Sequence, residues 1–226
     1  MLRTIAKGVN YSLGKVLQAK KIFVSGSLEF LGRKQVIDNN YYDYVRLSTL
    51  ELVSYEINSR GLTGSVAELG VYKGKFARYI NQYFPERPFY LCDTFEGFDQ
   101  RDVAREIEQN LSTGAQNFSD TTVGSVLKRM PFPQKCIPKV GFFPDSAAGV
   151  ADGFVFVSLD ADLFEPIYSG LNFFYPKLAK GGYIFVHDFN NDNYKGSRKA
   201  VEQFCRENGV GYVPIPDSGG SAILCK

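Results

Sequence analysis

The sequence is short of the residues that many site chemistries require. Histidine occurs once, at His187, and tryptophan not at all. A single imidazole excludes mechanisms built on two histidines of one chain, the common zinc hydrolase centres among them. The four cysteines, Cys92, Cys136, Cys205 and Cys225, include no C-x-x-C pair, which removes zinc and thioredoxin-type readings. They read as reduced thiols of a cytoplasmic protein. Neither charge dominates: 26 Lys and Arg face 24 Asp and Glu, a net charge of +2. That balance gives no reason to expect a nucleic-acid partner. No run approaches the roughly 18 apolar residues of a membrane span, and the basic start lacks an unbroken apolar stretch of signal-peptide length.

What is present is one large domain with an appendage. The 226 residues are 44% hydrophobic and 22% charged, enough to bury a core without staples. Residues 1–60 read as an N-terminal helical extension and residues 61–226 as the main domain. In the extension, Leu2, Ile5, Val9, Leu13, Val16 and Leu17 recur at helical spacing, with Arg3, Lys7, Lys15, Lys20 and Lys21 between them. Such a helix packs on the domain or on a second copy, so a homo-oligomer through the N-terminal helices is a candidate assembly. A membrane surface or an anionic partner is the competing use. Residues 41–60 read as a second helix. It opens on Tyr41, Tyr42 and Tyr44 beside Asp43 and Arg46; the tyrosines read as core or interface ahead of a sugar-stacking surface.

From residue 64 strands and helices alternate. Strands are expected at 65–70, 89–93, 136–140, 154–160 and 183–189. Helices are expected at 75–84, 102–111, 120–130 and 197–208, with another over LFEPIYSGLNFFYPKLAK, closed by Gly181-Gly182. Two short strands, GYVPI and SAILCK, follow around a PDSGG turn. Apolar strands alternating with helices predict an α/β fold: a doubly wound, mostly parallel, seven-stranded Rossmann-like sheet with an antiparallel C-terminal hairpin.

Ligands of such sheets sit beyond the carboxyl ends of the strands. Each of the first five expected strand ends carries an acid or leads into one: Glu68, Asp93, Asp145, Asp160 with Asp162, and Asp188 after His187. The dinucleotide fingerprint G-x-G-x-x-G is absent, because only Gly70 and Gly74 follow the first strand. A carboxylate at Glu68 would also repel a pyrophosphate. S-adenosylmethionine (SAM) carries no phosphate and has two positive centres, so an acid there attracts it. Asp93, 23 residues after Gly70, stands where an acid binds a ribose diol. Asp160 and Asp188 end neighbouring strands. Two carboxylates that close need a shared proton or a cation, and oxygen ligands suit Mg²⁺, Ca²⁺ or Mn²⁺. Asp162 doubles as a plausible helix N-cap. Adjacent strand residues face opposite sides, so His187 and Asp188 need not point the same way.

ELGVYKGKFARYI, DTFEGF, FSDTTVGSVLKRM, FFPDS, LDADLFEPIYSGLNFFYPKLAKGGYIFVHDFNN and YKGSRKAVEQF resemble the macrocin O-methyltransferase (TylF-like) family from about residue 41 onward. These are class I SAM-dependent methyltransferases that use a divalent metal and methylate sugar hydroxyls. The resemblance implies that Glu68, Gly70 and Asp93 line the SAM site and that Asp145 and Ser146 lie near the adenosine. It implies that Asp160 and Asp188 bind metal and that Asp162 is close to the acceptor. Many members carry two adjacent aspartates at the fifth strand end, where this chain has His187-Asp188.

The expected cofactor set is therefore Glu68, Gly70, Tyr72, Asp93, Thr94, Phe95, Asp145, Ser146 and Asp160. The expected metal set is Asp160, Asp188 and His187, with Mg²⁺ the metal, and Asp162 or His187 is the expected base. The expected reaction is methyl transfer to a hydroxyl of a sugar, in a glycosylated metabolite or a surface polysaccharide. An NAD(P)-dependent oxidoreductase and a non-catalytic SAM- or nucleotide-binding module are the alternatives. Deletion of residues 1–25 is expected to leave a folded, SAM-binding core, checked by circular dichroism and calorimetry. Loss of all folded protein would place the boundary elsewhere.

Overall fold

The computed structural model describes residues 43–226. The basic helix expected near the start, Tyr41 and Tyr42, and any assembly through N-terminal helices lie outside the described residues. Helix α1, Tyr44–Ser59, opens on Asp43, whose Oδ1 accepts the Arg46 N–H at 3.1 Å, an ordinary N-cap. Residues Asp43–Lys226 form one compact unit, so the expected break at 60/61 falls inside it. The reason is packing: α1 buries Leu50 and Ile57 completely.

The alternation then runs β1 (Ser65–Leu69), α2 (Lys75–Tyr83), β2 (Phe89–Asp93), α3 (Gln100–Glu108), α4 (Val123–Leu127), β3 (Cys136–Val140), β4 (Phe154–Leu159), α5 (Phe164–Lys177), β5 (Leu178–Val186), α6 (Lys195–Asn208), β6 (Val213–Ile215) and β7 (Ser221–Cys225). The seven strands lie in the order β3-β2-β1-β4-β5-β7-β6. The first five pair in parallel, and β7 pairs antiparallel with both β5 and β6. This is the expected doubly wound sheet with its terminal hairpin. The chain starts its two half-windings from β1 and β4, and their carboxyl ends form the switch point where ligands collect in open sheets.

Central strands β1 and β4 are buried at every residue, as a sheet covered on both faces requires. Phenylalanine fills much of the interior. Phe154 meets Phe174 of α5 edge-on at 5.0 Å, whereas Phe156 stacks on Phe84 at 5.7 Å and meets Phe185 at 5.0 Å. Residues two apart on a regular strand share a face. Here the β4–β5 register shifts between Phe154 and Phe156, and the two rings find different partners. The shift also explains a difference from the sequence reading. The fifth helix stops at Lys177, and LAKGG belongs to β5. Phe154 already pairs with Leu178 and Phe156 with Tyr183, so the intervening residues bulge out of the ladder. Lys226 Nζ closes the helix end by donating to the carbonyls of Tyr175 and Pro176, a cation where the helix dipole is negative.

One glycine is set by close approach. Gly70 has φ +85°, and a Cβ there would lie 2.1 Å from the Asp160 carbonyl oxygen. The ends of β1 and β4 touch because this residue has no side chain. Gly70→Ala is expected to cost about 1–2 kcal/mol for a left-handed alanine and about 1–3 more for the forced separation. Gly61→Ala, at φ +64° with nothing within 4 Å of its Cβ, should show only the first effect. Denaturant melts of both variants measure the difference.

Candidate active site

The site stands on the carboxyl ends of β1, β2, β4 and β5. Glu68 is the fourth residue of β1, faces Ser158 of β4 in register, and is 1% exposed. Burial pushes its carboxyl well above the usual range. Asp160 and Asp93 add to the rise, against Arg46 and a hydrogen bond from Ser158. Its Oε2 has no hydrogen-bond partner among the described residues. A buried orphan acceptor is costly, and at a strand end it points to a ligand's donor.

Asp93 ends β2 and ties two loops together. Its Oδ2 accepts the N–H groups of Val71 at 2.6 Å and Tyr72 at 2.8 Å, and its Oδ1 accepts Phe95 N–H at 2.7 Å. Tyr72 and Phe95 take positive φ values of 48° and 56°, a conformation non-glycine residues adopt at some cost. Asp93 therefore shapes the turn after β1 as well as offering its remaining lone pairs. Thr94 Oγ1 donates to the Gly97 carbonyl and accepts the Glu96 N–H, which orders the loop after β2. Asp145 and Ser146 start a short 3-10 turn after β3, and the buried Ser146 Oγ has no partner among the described residues.

Beyond β4 and β5 the charges converge. Arg46 reaches in from α1 at 3% exposure. It donates from one terminal nitrogen to Asp160 Oδ2 at 3.0 Å and from the other to Ser158 Oγ at 3.3 Å. Its guanidinium lies 3.8 Å from the centre of the Phe76 ring. His187 Nδ1 is 3.1 Å from Asp160 Oδ1 and 2.9 Å from Asp188 Oδ2, and its Nε2 is 2.8 Å from the Ser218 carbonyl oxygen. The convergence answers the question of alternation. β5 ends at Val186, and Asp188 sits at φ +56°, a left-handed kink that aspartate tolerates and that turns its carboxylate back toward His187. Asp162, at φ +60°, is likewise kinked and shares a hydrogen bond with Asp188. It is not the N-cap of α5. That position is Leu163, and Glu106 of α3 accepts the Phe164 N–H instead.

The electrostatics sort these groups. Burial works to raise the Asp160 carboxyl, but Arg46 and His187 overcome it and hold the group well below its usual range. Asp162 moves the other way: burial, then the charges of Asp188 and Asp160, lift it well above its usual range. Burial pulls the His187 imidazole down, yet Asp160 and the hydrogen bonds to Asp160 and Asp188 bring it to about 10. Its Nε2 faces a carbonyl, which only accepts, so that nitrogen carries a proton in either charge state.

Asp160, His187 and Asp188 each present one ligand atom, all within 4.8 Å of one another. The two spacings from Nδ1 match the edge of about 3 Å expected for adjacent ligands at Mg–O distances of 2.0–2.1 Å. In the neutral imidazole, the Ser218 carbonyl fixes the proton on Nε2 and leaves the Nδ1 lone pair facing the carboxylates, the arrangement that orients ligating histidines. The donor set fits a divalent cation. The sequence reading singled out the tyrosines at the start of α1, yet Tyr44 is 42% exposed. Arg46 and Asp43 of the same stretch are the residues that enter the site. Only the coincidence of a basic residue with the first helical turn hinted at this.

The strand order, with an acid and a glycine ending β1 and an acid ending β2, gives a fold shared with solved methyltransferases, and SAM is the cofactor of the family whose pattern the chain matches. The chain belongs to the macrocin-O-methyltransferase (TylF) family, whose pattern matches residues 42–216, and it is an O-methyltransferase. A curated relative from Streptomyces olivaceus, an 8-demethyl-8-(2,3-dimethoxy-alpha-L-rhamnosyl)-tetracenomycin-C 4'-O-methyltransferase, is 24% identical over 193 residues, 79% of this chain and 72% of the relative. Among solved structures, the O-methyltransferase NovP superposes with a TM-score of 0.62 at 18% identity, covering 80% of this chain and 79% of its own. The calicheamicin methyltransferase CalS11 gives 0.64 at 18% identity, covering 80% and 78%. Its apo form, described as a TDP-rhamnose 3'-O-methyltransferase, gives 0.55 at 18% identity, covering 80% and 78%.

The Glu68 carboxyl yields a pH prediction. Between its unfolded pKa, near 4.3, and its raised folded pKa, the native state binds more protons than the unfolded state. Stability therefore falls as pH rises through that window, by up to about 1.4 kcal/mol per pH unit. Glu68→Gln removes this loss. Relative to the parent, the variant should gain stability as pH rises from 4 to 8 while SAM binding weakens at least tenfold, read by thermal melts and calorimetry.

Proposed function

We propose that this enzyme moves the methyl group of SAM to a ring hydroxyl of a rhamnose-type 6-deoxyhexose carried on a small glycosylated metabolite, with help from a divalent cation. The observation that carries the reading is the meeting of Asp160, Asp162, Asp188 and His187 beside Glu68 at the sheet's switch point. The sugar is supported by family membership and by the rhamnose named for the Streptomyces olivaceus relative and for CalS11.

Glu68, with its unpartnered Oε2, accepts the ammonium of the cofactor, and Asp93 accepts from the ribose. Asp145 and Ser146 lie at the adenosine end, where the orphan Ser146 Oγ takes a polar edge. Asp160, Asp188 and His187 are the residues that would hold the cation. When bound, it supplies charge that makes a hydroxyl a better nucleophile and steadies its approach. Asp162 takes the hydroxyl proton. A carboxyl lifted above its usual range is the better matched to accept a proton near neutral pH. Tyr194, buried and raised by burial and by its proximity to Asp162 and Asp188, stays a neutral hydroxyl beside this pair.

The test is turnover of radiolabelled SAM with TDP-rhamnose and with a rhamnosylated aromatic glycoside. At least one should be methylated, EDTA should stop the reaction, and Mg²⁺ or Mn²⁺ should restore it. Asp188→Asn should abolish turnover with SAM affinity retained. Asp162→Asn should slow the chemical step by roughly 10²–10⁴-fold with metal still bound. Full activity in excess chelator would remove the cation from the mechanism. Methylation of neither rhamnoside alongside tight SAM binding would remove the sugar assignment.

A further inference from the structure

Helix α1 precedes the first strand of the alternating sheet, yet its first turn is wired into the site through a closed circuit. Asp43 Oδ2 accepts the Ser218 N–H at 3.2 Å. The Ser218 carbonyl faces His187 Nε2 at 2.8 Å, and His187 Nδ1 stands 3.1 Å from Asp160 Oδ1. Asp160 Oδ2 takes the Arg46 guanidinium at 3.0 Å, and the Arg46 N–H returns to Asp43 Oδ1 at 3.1 Å. Five residues from α1, the ends of β4 and β5 and the β6–β7 turn close the loop. The turn is seated on this group: a Cβ at Gly219 would lie 2.7 Å from Asp188 Oδ1 and 3.3 Å from His187 Cε1.

The circuit treats the two oxygens of Asp160 differently. Oδ2 is held by Arg46, whose other terminal nitrogen is anchored on Ser158 two residues earlier, so the planar fork spans the end of β4. Oδ1 is the oxygen turned to His187. Phe76 backs the guanidinium plane at 3.8 Å, which restricts it to this pose. A lysine carries the charge but is a point donor without the fork.

We propose that Arg46 is a positioning residue: it fixes the Asp160 carboxylate so that Oδ1 alone faces the reaction site, making helix α1 an integral part of the catalytic centre. The consequence for transfer rests on the reading of Asp160 given above; the geometric claim does not. Asp160 touches the site and Arg46 acts through it. Misplacing a group by about 1 Å can cost about 10²-fold in rate.

The single histidine makes this measurable without an acceptor. Full-length ¹⁵N-labelled protein, stripped of metal, should show one imidazole in a long-range ¹H–¹⁵N spectrum. In Arg46→Ala the released carboxylate should move the Nδ1 resonance by several ppm at fixed pH, with SAM affinity changed less than about fivefold. Arg46→Lys should give a smaller shift in the same direction, and it serves as the readout if the alanine variant does not fold. With a methylated acceptor, kcat should fall about 10²-fold in Arg46→Ala and about tenfold in Arg46→Lys, KM for SAM should hold, and ethylguanidinium should restore part of kcat to the alanine variant alone. A wild-type imidazole spectrum in the folded variants overturns the proposal, whether or not melting temperature or turnover drops, because Arg46 would then act on stability or elsewhere. A shifted imidazole with no methylation by the parent protein supports the positioning role and refutes the acceptor assignment instead.

Discussion

Four carboxyl groups, Glu68, Asp160, Asp162 and Asp188, are gathered at the meeting point of β1, β4 and β5, and the surrounding structure is arranged to make that gathering tolerable. Buried like charges at this spacing are unstable without compensation. Two cations, Arg46 and His187, flank Asp160, and burial together with the neighbouring carboxylates raises Glu68 and Asp162, so that both hold a proton more readily than an exposed carboxyl does. The four groups thus divide into two held below the usual carboxylate range, Asp160 and Asp188, and two pushed above it, Glu68 and Asp162. In the proposed mechanism Glu68 meets the cofactor's ammonium; Asp160 and Asp188 lie with His187 as a group of potential ligand atoms within 4.8 Å of one another.

Backbone geometry serves the same end. Asp162 and Asp188 each occupy the left-handed region, and each is thereby turned out of the strand or helix direction its sequence position would impose. Gly70 lets the β1 end approach the Asp160 carbonyl. Glu106, reaching from α3, accepts the Phe164 N–H two residues beyond Asp162, and Ser197 donates to the Asp162 carbonyl at 2.9 Å. The kinked residue is therefore held from both sides by groups that take no part in chemistry.

Much of this is legible in the amino-acid sequence alone. The alternation of apolar strands and helices is a property of residue type and spacing, and it led to the sheet, its order class and its terminal hairpin. The acids at strand ends could be picked out because doubly wound sheets place their ligands there. What periodicity could not show were departures from regular geometry. The shifted register in β4–β5 hid the true end of α5. The left-handed Asp188 broke the alternation that left the orientation of His187 open. A helix capped from a distance by Glu106 made Asp162 look like a local cap. Arg46 was visible only as one basic residue in a polar turn, because its importance comes from a partner 114 positions away.

The span of the Asp43–Arg46–Asp160–His187–Ser218 circuit bears on how the molecule is assembled. Its members are contributed by the first described helix, the ends of β4 and β5 and the final hairpin, so no local segment contains enough of them to close it. Loop closure over such separations is unfavourable until the intervening sheet is in place. The parallel half of the domain can therefore collapse around its phenylalanine core while the charged centre is still open to water.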